Sequence, residues 1–92
     1  MMKKKIESLK IYGKRWFQKS CGNTYHSVTI IVNGIELYVG CSYGYGNHYL
    51  QTTLEALQDE YDIPTEYGEF LKFLHDNNFT YSVTDVNRKK DL

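Results

Sequence analysis

Proline occurs once, at Pro64, cysteine only twice, and no apolar run approaches the roughly eighteen residues that a membrane-spanning helix needs. Cys21 and Cys41 are too few for a disulfide framework and have no CxxC spacing, which suits a reducing cytosol. The Lys3–Lys5 run is not followed by the apolar segment of a signal peptide, so neither secretion nor membrane insertion is expected. Charge of one sign is also missing. Eleven basic residues meet eleven acidic ones, and the isoelectric point of about 6.8 lies far below that of a typical free nucleic-acid binder. There is no internal repeat, low-complexity tract or Pro/Gly/Ser linker, so residues 1–92 are read as one domain with a polar tail at about 87–92.

What the chain does have is enough apolar matter for a core. Hydrophobic residues make up 41%, and thirteen Tyr and Phe accompany the single Trp, a composition that excludes intrinsic disorder. The strongest local signal is Asn33-Gly34 between two β-rich runs, Thr24 to Val32 and Ile35 to Tyr43. A type I′ turn needs two residues tolerant of positive φ, so the spacing predicts a two-residue hairpin. Its register would oppose Val32 to Ile35, Ile30 to Leu37, Val28 to Val39 and His26 to Cys41, all on the core face. Ser27, Thr29, Ile31, Glu36, Tyr38 and Ser42 would then share the other face.

Upstream, Lys4 to Phe17 reads as a first strand, joined to the hairpin by a turn at Ser20-Cys21-Gly22-Asn23. With Leu9 and Ile11 inward, Lys10, Tyr12, Lys14 and Trp16 fall on the outer face beside Thr29 and Tyr38, provided no bulge intervenes. Downstream, Leu50, Leu54, Leu57 and Tyr61 mark one stripe of a helix over about 48–60, which stops before Pro64. Thr65, Gly68 and Glu69 open a second helix with Phe70, Leu71, Phe73 and Leu74 inward, ended by Asn77-Asn78. Phe79 to Val86 reads as the last strand. The expectation is an α+β fold in the order βββααβ, an antiparallel sheet with two helices packed on one face.

The balanced charge is unevenly distributed. Residues 1–20 hold seven Lys and Arg against Glu7, whereas residues 50–78 hold seven acids against Lys72. Such a split bears on association more than on fold, although two ordinary solvated faces would give the same pattern. Lys10, Lys14, Arg15 and Lys19 interleave with Tyr12 and Trp16, a combination that can hold phosphates and stack on unpaired bases. Around Gly44-Tyr45-Gly46, the residues Tyr43, Tyr45, Asn47, His48 and Tyr49 are expected to gather at a strand-to-helix corner. Exposed loop aromatics there would suit a protein interface, whereas the glycine spacing does not suit a phosphate loop.

Cys21, His26, Cys41 and His48 are the candidate metal ligands, but their spacing fits no zinc motif. His26 beside Cys41 reads as a hydrogen-bonded core histidine packed on a small thiol. As a nucleophile and base the same pair would still need a third group and an oxyanion site. No catalytic residue, metal or cofactor is expected, and no small-molecule substrate.

The chain, particularly its stretch from Lys14 to Leu57, KRWFQKSCGNTYHSVTIIVNGIELYVGCSYGYGNHYLQTTLEAL, resembles small phage-encoded anti-CRISPR proteins that inhibit the type I-F (Csy) surveillance complex. The resemblance implies a stoichiometric inhibitor in the cytoplasm of the infected bacterium. It would bind the crRNA-guided complex through its backbone subunits, with the crRNA as a further contact, and prevent hybridisation with target DNA. The resemblance assigns no individual residue. On chemistry alone the binding candidates are Lys10, Tyr12, Lys14, Arg15, Trp16 and Lys19 on the first strand, Tyr43, Tyr45 and Asn47 at the corner, and Glu55, Asp59 and Glu60 on the first helix. The acids could stand in for DNA phosphates against a basic channel. A monomer is the expectation, and the alternative function is a free single-stranded RNA-binding module of a phage.

Overall fold

The computed structural model describes residues 3–44 and 46–92. Strands β1 (Leu9–Gln18), β2 (Asn23–Val32) and β3 (Ile35–Tyr43) are followed by helices α1 (His48–Leu57) and α2 (Tyr67–Asp76), strand β4 (Thr80–Val86) and a single 3₁₀ turn at Lys89–Asp91. The four strands form one sheet in the order β3-β2-β1-β4. The hairpin forms at Asn33-Gly34, with φ of 51° and 83° as a type I′ turn requires.

The sheet is mixed and not purely antiparallel. β1 pairs antiparallel with β2, but β4 runs parallel to β1. Since β3 already runs in the direction of β1, a β4 parallel to β1 means that the segment holding the two helices returns the chain to the end of the sheet where β3 began, the crossover that a parallel strand needs.

The β2–β3 register holds from Val32↔Ile35 to Val28↔Val39 and then shifts, so that His26 opposes Ser42 and not Cys41. Gly40 and Cys41 together face Ser27 as a β-bulge. Cys41, expected in the core, is exposed, and Ile35 at the other end of the strand is also exposed. β1 starts only at Leu9, because the Asn33 side chain captures the preceding segment. Its Oδ1 accepts from the amides of Glu7 (2.7 Å) and Ser8 (3.1 Å), and its Nδ2 donates to the Lys5 carbonyl (2.9 Å). Lys4 instead makes an isolated parallel bridge to Tyr61.

The helical stripes are as the spacing predicts. Leu50, Leu54, Leu57 and Tyr61 are buried, as are Phe70 and Leu74, against Leu9, Ile11, Val28, Ile30 and Val32 of the sheet. Leu71 and Phe73 are half-buried at the core's margin. α1 ends at Leu57, three residues short of expectation, and Glu66 rather than Thr65 occupies the N-cap of α2. α2 closes with Asn78 in the left-handed region (φ 56°), the Phe79 amide donating to the Leu74 carbonyl and the Asn78 amide to that of His75. The Phe79 ring then meets Phe73 edge-on at 5.6 Å, completing the hydrophobic contact of that capping motif.

α1 comes close to β1 because Gly13 has no side chain. A Cβ there would lie 2.6 Å from Cδ2 and 2.7 Å from Cγ of Tyr49, near the base of a buried ring that cannot swing aside. Gly13→Ala is therefore expected to destabilise the fold by about 1–3 kcal/mol, the usual cost of overpacking. Urea denaturation would check this; a loss under about 0.5 kcal/mol would mean that the helix shifts freely on the sheet.

Candidate functional site

Both helices lie on one face of the sheet, and the opposite face carries the aromatic and basic residues. Along β1 its outward positions are Lys10, Tyr12, Lys14, Trp16 and Gln18 in alternation. The registers align these with β2 and β3 into rows. Trp16 lies between Val86 and Tyr25, and Tyr25 opposes Tyr43. The Trp16 and Tyr25 rings stack at 5.9 Å, and Tyr25 meets Tyr43 edge-on at 5.7 Å. A second row runs Ser82, Tyr12, Thr29, Tyr38. Tyr12, Tyr38 and Tyr43 are 45%, 60% and 63% exposed. Between the rows lie Lys14 and Ser27, and Ser27 is only 2% exposed.

The tail beyond β4 returns across this face. The Tyr38 hydroxyl on β3 donates to the main-chain oxygen of Leu92 at 3.2 Å, whereas β4 lies on the far edge of the sheet. The exposed Lys89 and Lys90 thus join the same side as Lys10 and Lys14, and Arg88 pairs with Asp91 (3.3 Å).

The structure brings together Lys10, Tyr12, Lys14, Trp16 and Tyr43, and separates the other candidates from them. Arg15 points to the helix side, where its Nε donates to Asp85 (2.8 Å) and its Nη1 to the Gly46 carbonyl (3.1 Å). It walls a cleft of about 370 Å³ with Phe17, Thr24 and Asp85. Lys19 sits in the exposed turn after β1. Asn47 is the N-cap residue of α1 and borders a second cleft of about 560 Å³ shared with His48, Gln51 and Tyr67. Tyr45 lies outside the described residues. Glu55 is on the exposed side of α1, Asp59 and Glu60 follow that helix, and Glu60 is held by Lys4 at 2.7 Å. The acidic half of the sequence therefore forms the helical layer and the basic half contributes to the sheet layer.

Tyr25 is the residue that sequence reasoning missed. Its parity with Ser27 and Thr29 on β2 was signal enough to put it on the outer face, but its partner Tyr43 arrives there only through the bulge. Without the extra residue Tyr43 would face the helices, and Ser42, expected outside, would not oppose His26.

His26 is buried on the helix face. Gly44's carbonyl can only accept, so Nδ1 carries the proton and donates to it (3.2 Å), and Nε2 accepts from the Thr52 hydroxyl (2.7 Å). The expected hydrogen-bonded core histidine is present, but its neighbour is the His48 ring at 5.3 Å and not Cys41. Among the described residues no three His, Cys, Asp or Glu side chains converge, and no helix is long and apolar enough to cross a membrane.

Burial, with a smaller contribution from His48, holds the His26 imidazole below its usual value near 6.5. The unfolded chain then takes up the proton more readily than the fold, so this group's contribution to stability is complete above about pH 6.5 and declines as pH falls through the lowered value. Urea midpoints are expected to drop between about pH 7.5 and 5.5, and His26→Gln should flatten that dependence at some cost in stability. An unchanged slope in the variant would assign the effect to other groups. No known family model, curated protein or solved structure matches the chain.

Proposed function

We propose that this protein works by occupancy, as an inhibitor of the type I-F crRNA-guided surveillance complex in the cytoplasm of a phage-infected bacterium. The partner comes from the sequence resemblance. The observation that carries the mode of action is the two-layer separation of charge, a basic, aromatic sheet face backed by acidic helices. A crRNA-guided complex offers both counterparts: a basic protein channel that receives DNA, and an RNA strand lying in it. Glu55 and Asp59 can meet channel Lys and Arg as phosphate substitutes, while Lys10 and Lys14 approach guide phosphates.

The sheet face is large enough for the task. Four strands of seven to ten residues, at about 4.8 Å between strands and about 3.3 Å per residue, make a face of roughly 20 by 30 Å, part of which the tail crosses on its way to Tyr38. That is of the order of the ~800 Å² per partner found in stable complexes. An inhibitor seated near the site where the guide first pairs blocks nucleation of the heteroduplex without turnover.

Mixing the protein with purified type I-F surveillance complex tests the proposal. Stoichiometric co-elution in size exclusion and loss of target-DNA binding are expected. Lys10→Glu with Lys14→Glu should weaken inhibition by about tenfold or more while leaving the fold intact, because exposed lysines contribute little to stability. Failure to co-elute at micromolar concentrations would remove the proposal.

A further inference from the structure

We infer that the outer sheet face binds single-stranded RNA, with Trp16 and Tyr12 as stacking positions and Lys14 and Lys10 as phosphate contacts. The inference rests on the reading of that face as the docking surface, but not on which ribonucleoprotein supplies the RNA.

The order of side chains along β1 carries the argument. Outward positions on one strand recur about every 6.6 Å, and here they read aromatic, cation, aromatic, cation from Trp16 to Lys10. A protein partner would not require that alternation. An extended polynucleotide is served by it, because each nucleotide brings one base to stack and one phosphate to neutralise. Tyr25 stacks beside Trp16 and the exposed Tyr43 stands edge-on at the end of the same row, so a base stacking at this end of the strand has Tyr43 as its flank. Tyr38 lies in the same row as Tyr12, on the far side of Thr29.

Charge agrees with this occupant. Lys89 and Lys90 add to Lys10 and Lys14 on the same side, whereas the acids present are Glu36 at the β3 edge and Asp91, which Arg88 neutralises. Polar chemistry favours RNA over DNA. Thr80, Ser82 and Thr84 line the outward side of β4 directly beside Lys10, Tyr12 and Lys14, and their hydroxyls can exchange hydrogen bonds with ribose 2′-OH groups. A shallow sheet also suits splayed bases better than a duplex, whose bases are already stacked.

The chain contains its own reporter, since Trp16 is its single tryptophan. The full-length protein is titrated with a twelve-nucleotide mixed-sequence RNA, following Trp16 emission and the anisotropy of labelled RNA. Quenching with a micromolar Kd is expected, weakening with salt at a log–log slope of roughly −0.7 per phosphate held. Lys10→Ala with Lys14→Ala should reduce that slope by about 1.4. Tyr12→Ala or Tyr43→Ala should weaken binding roughly fivefold or more, with Tyr→Phe at either position retaining it.

The inference is overturned by silence of both signals up to about 100 μM RNA at about 50 mM salt. It is equally overturned by single-stranded DNA or duplex binding as tightly as the RNA, or by folded Tyr→Ala variants that bind like the parent. RNA silence alongside co-elution with the surveillance complex would remove this inference and leave the proposed function standing. RNA binding without co-elution would do the reverse.

Discussion

Gly40 and Cys41 together oppose Ser27, and β3 beyond that point is turned over relative to the hairpin that starts at Asn33-Gly34. Side chains alternate between faces with a period of two, so one extra residue exchanges every later assignment. Ser42 comes opposite His26, and Tyr43 goes outward to meet Tyr25. Had the register continued unbroken, Cys41 would be in the core and the aromatic row would end at Tyr25. The outward Tyr43 and the exposure of Cys41 thus depend on one backbone irregularity, whereas His26 faces the helices by the parity of β2 itself.

A second constraint is the path of the helices. Two antiparallel pairings leave β3 running with β1, and the helical connection returns the chain to the end where β3 began, so that β4 runs that way too. β4 then lies against β1, at the edge opposite β3, which places Asp85 beside Arg15 and sends the tail back across the outer face to Tyr38. The same path assigns the faces: α1 presses on β1 at Gly13, and among the described residues the tail is what crosses the other side of the sheet. A sheet with one helical face and one polar, aromatic face is stable because half its side chains already form the core.

Charge follows those layers. The acids of residues 50–78 are on and between the helices, and most of the exposed cations of the outer strands and tail are on the other side. A neutral chain of this kind has a field that orients it toward a partner with charged patches of its own, and that field shortens as salt screens it beyond about 8 Å. Arg15 and Glu60 are exceptions, since each is held by an opposite charge within the molecule.

The sequence by itself determined the features governed by neighbouring residues. Asn33-Gly34 specified its turn through positive φ, the Leu50, Leu54, Leu57 and Tyr61 stripe specified a helix and its buried side, and alternation from Leu9 to Trp16 put Lys10, Tyr12, Lys14 and Trp16 on one face. Asn77-Asn78 likewise marked a helix end. Only the tertiary structure decided the rest, because each remaining feature joins residues far apart in the chain. The parallel placement of β4 follows from how both helices cross the sheet, and the capture of Glu7 and Ser8 by Asn33 follows from where the hairpin tip lies. The bulge at Gly40-Cys41 is chosen by the pairing of β3 with β2, where an extra residue sets His26 opposite Ser42 and Tyr25 opposite Tyr43. Local propensity cannot encode such a shift, since its consequences are felt on the opposing strand and on the helix above it.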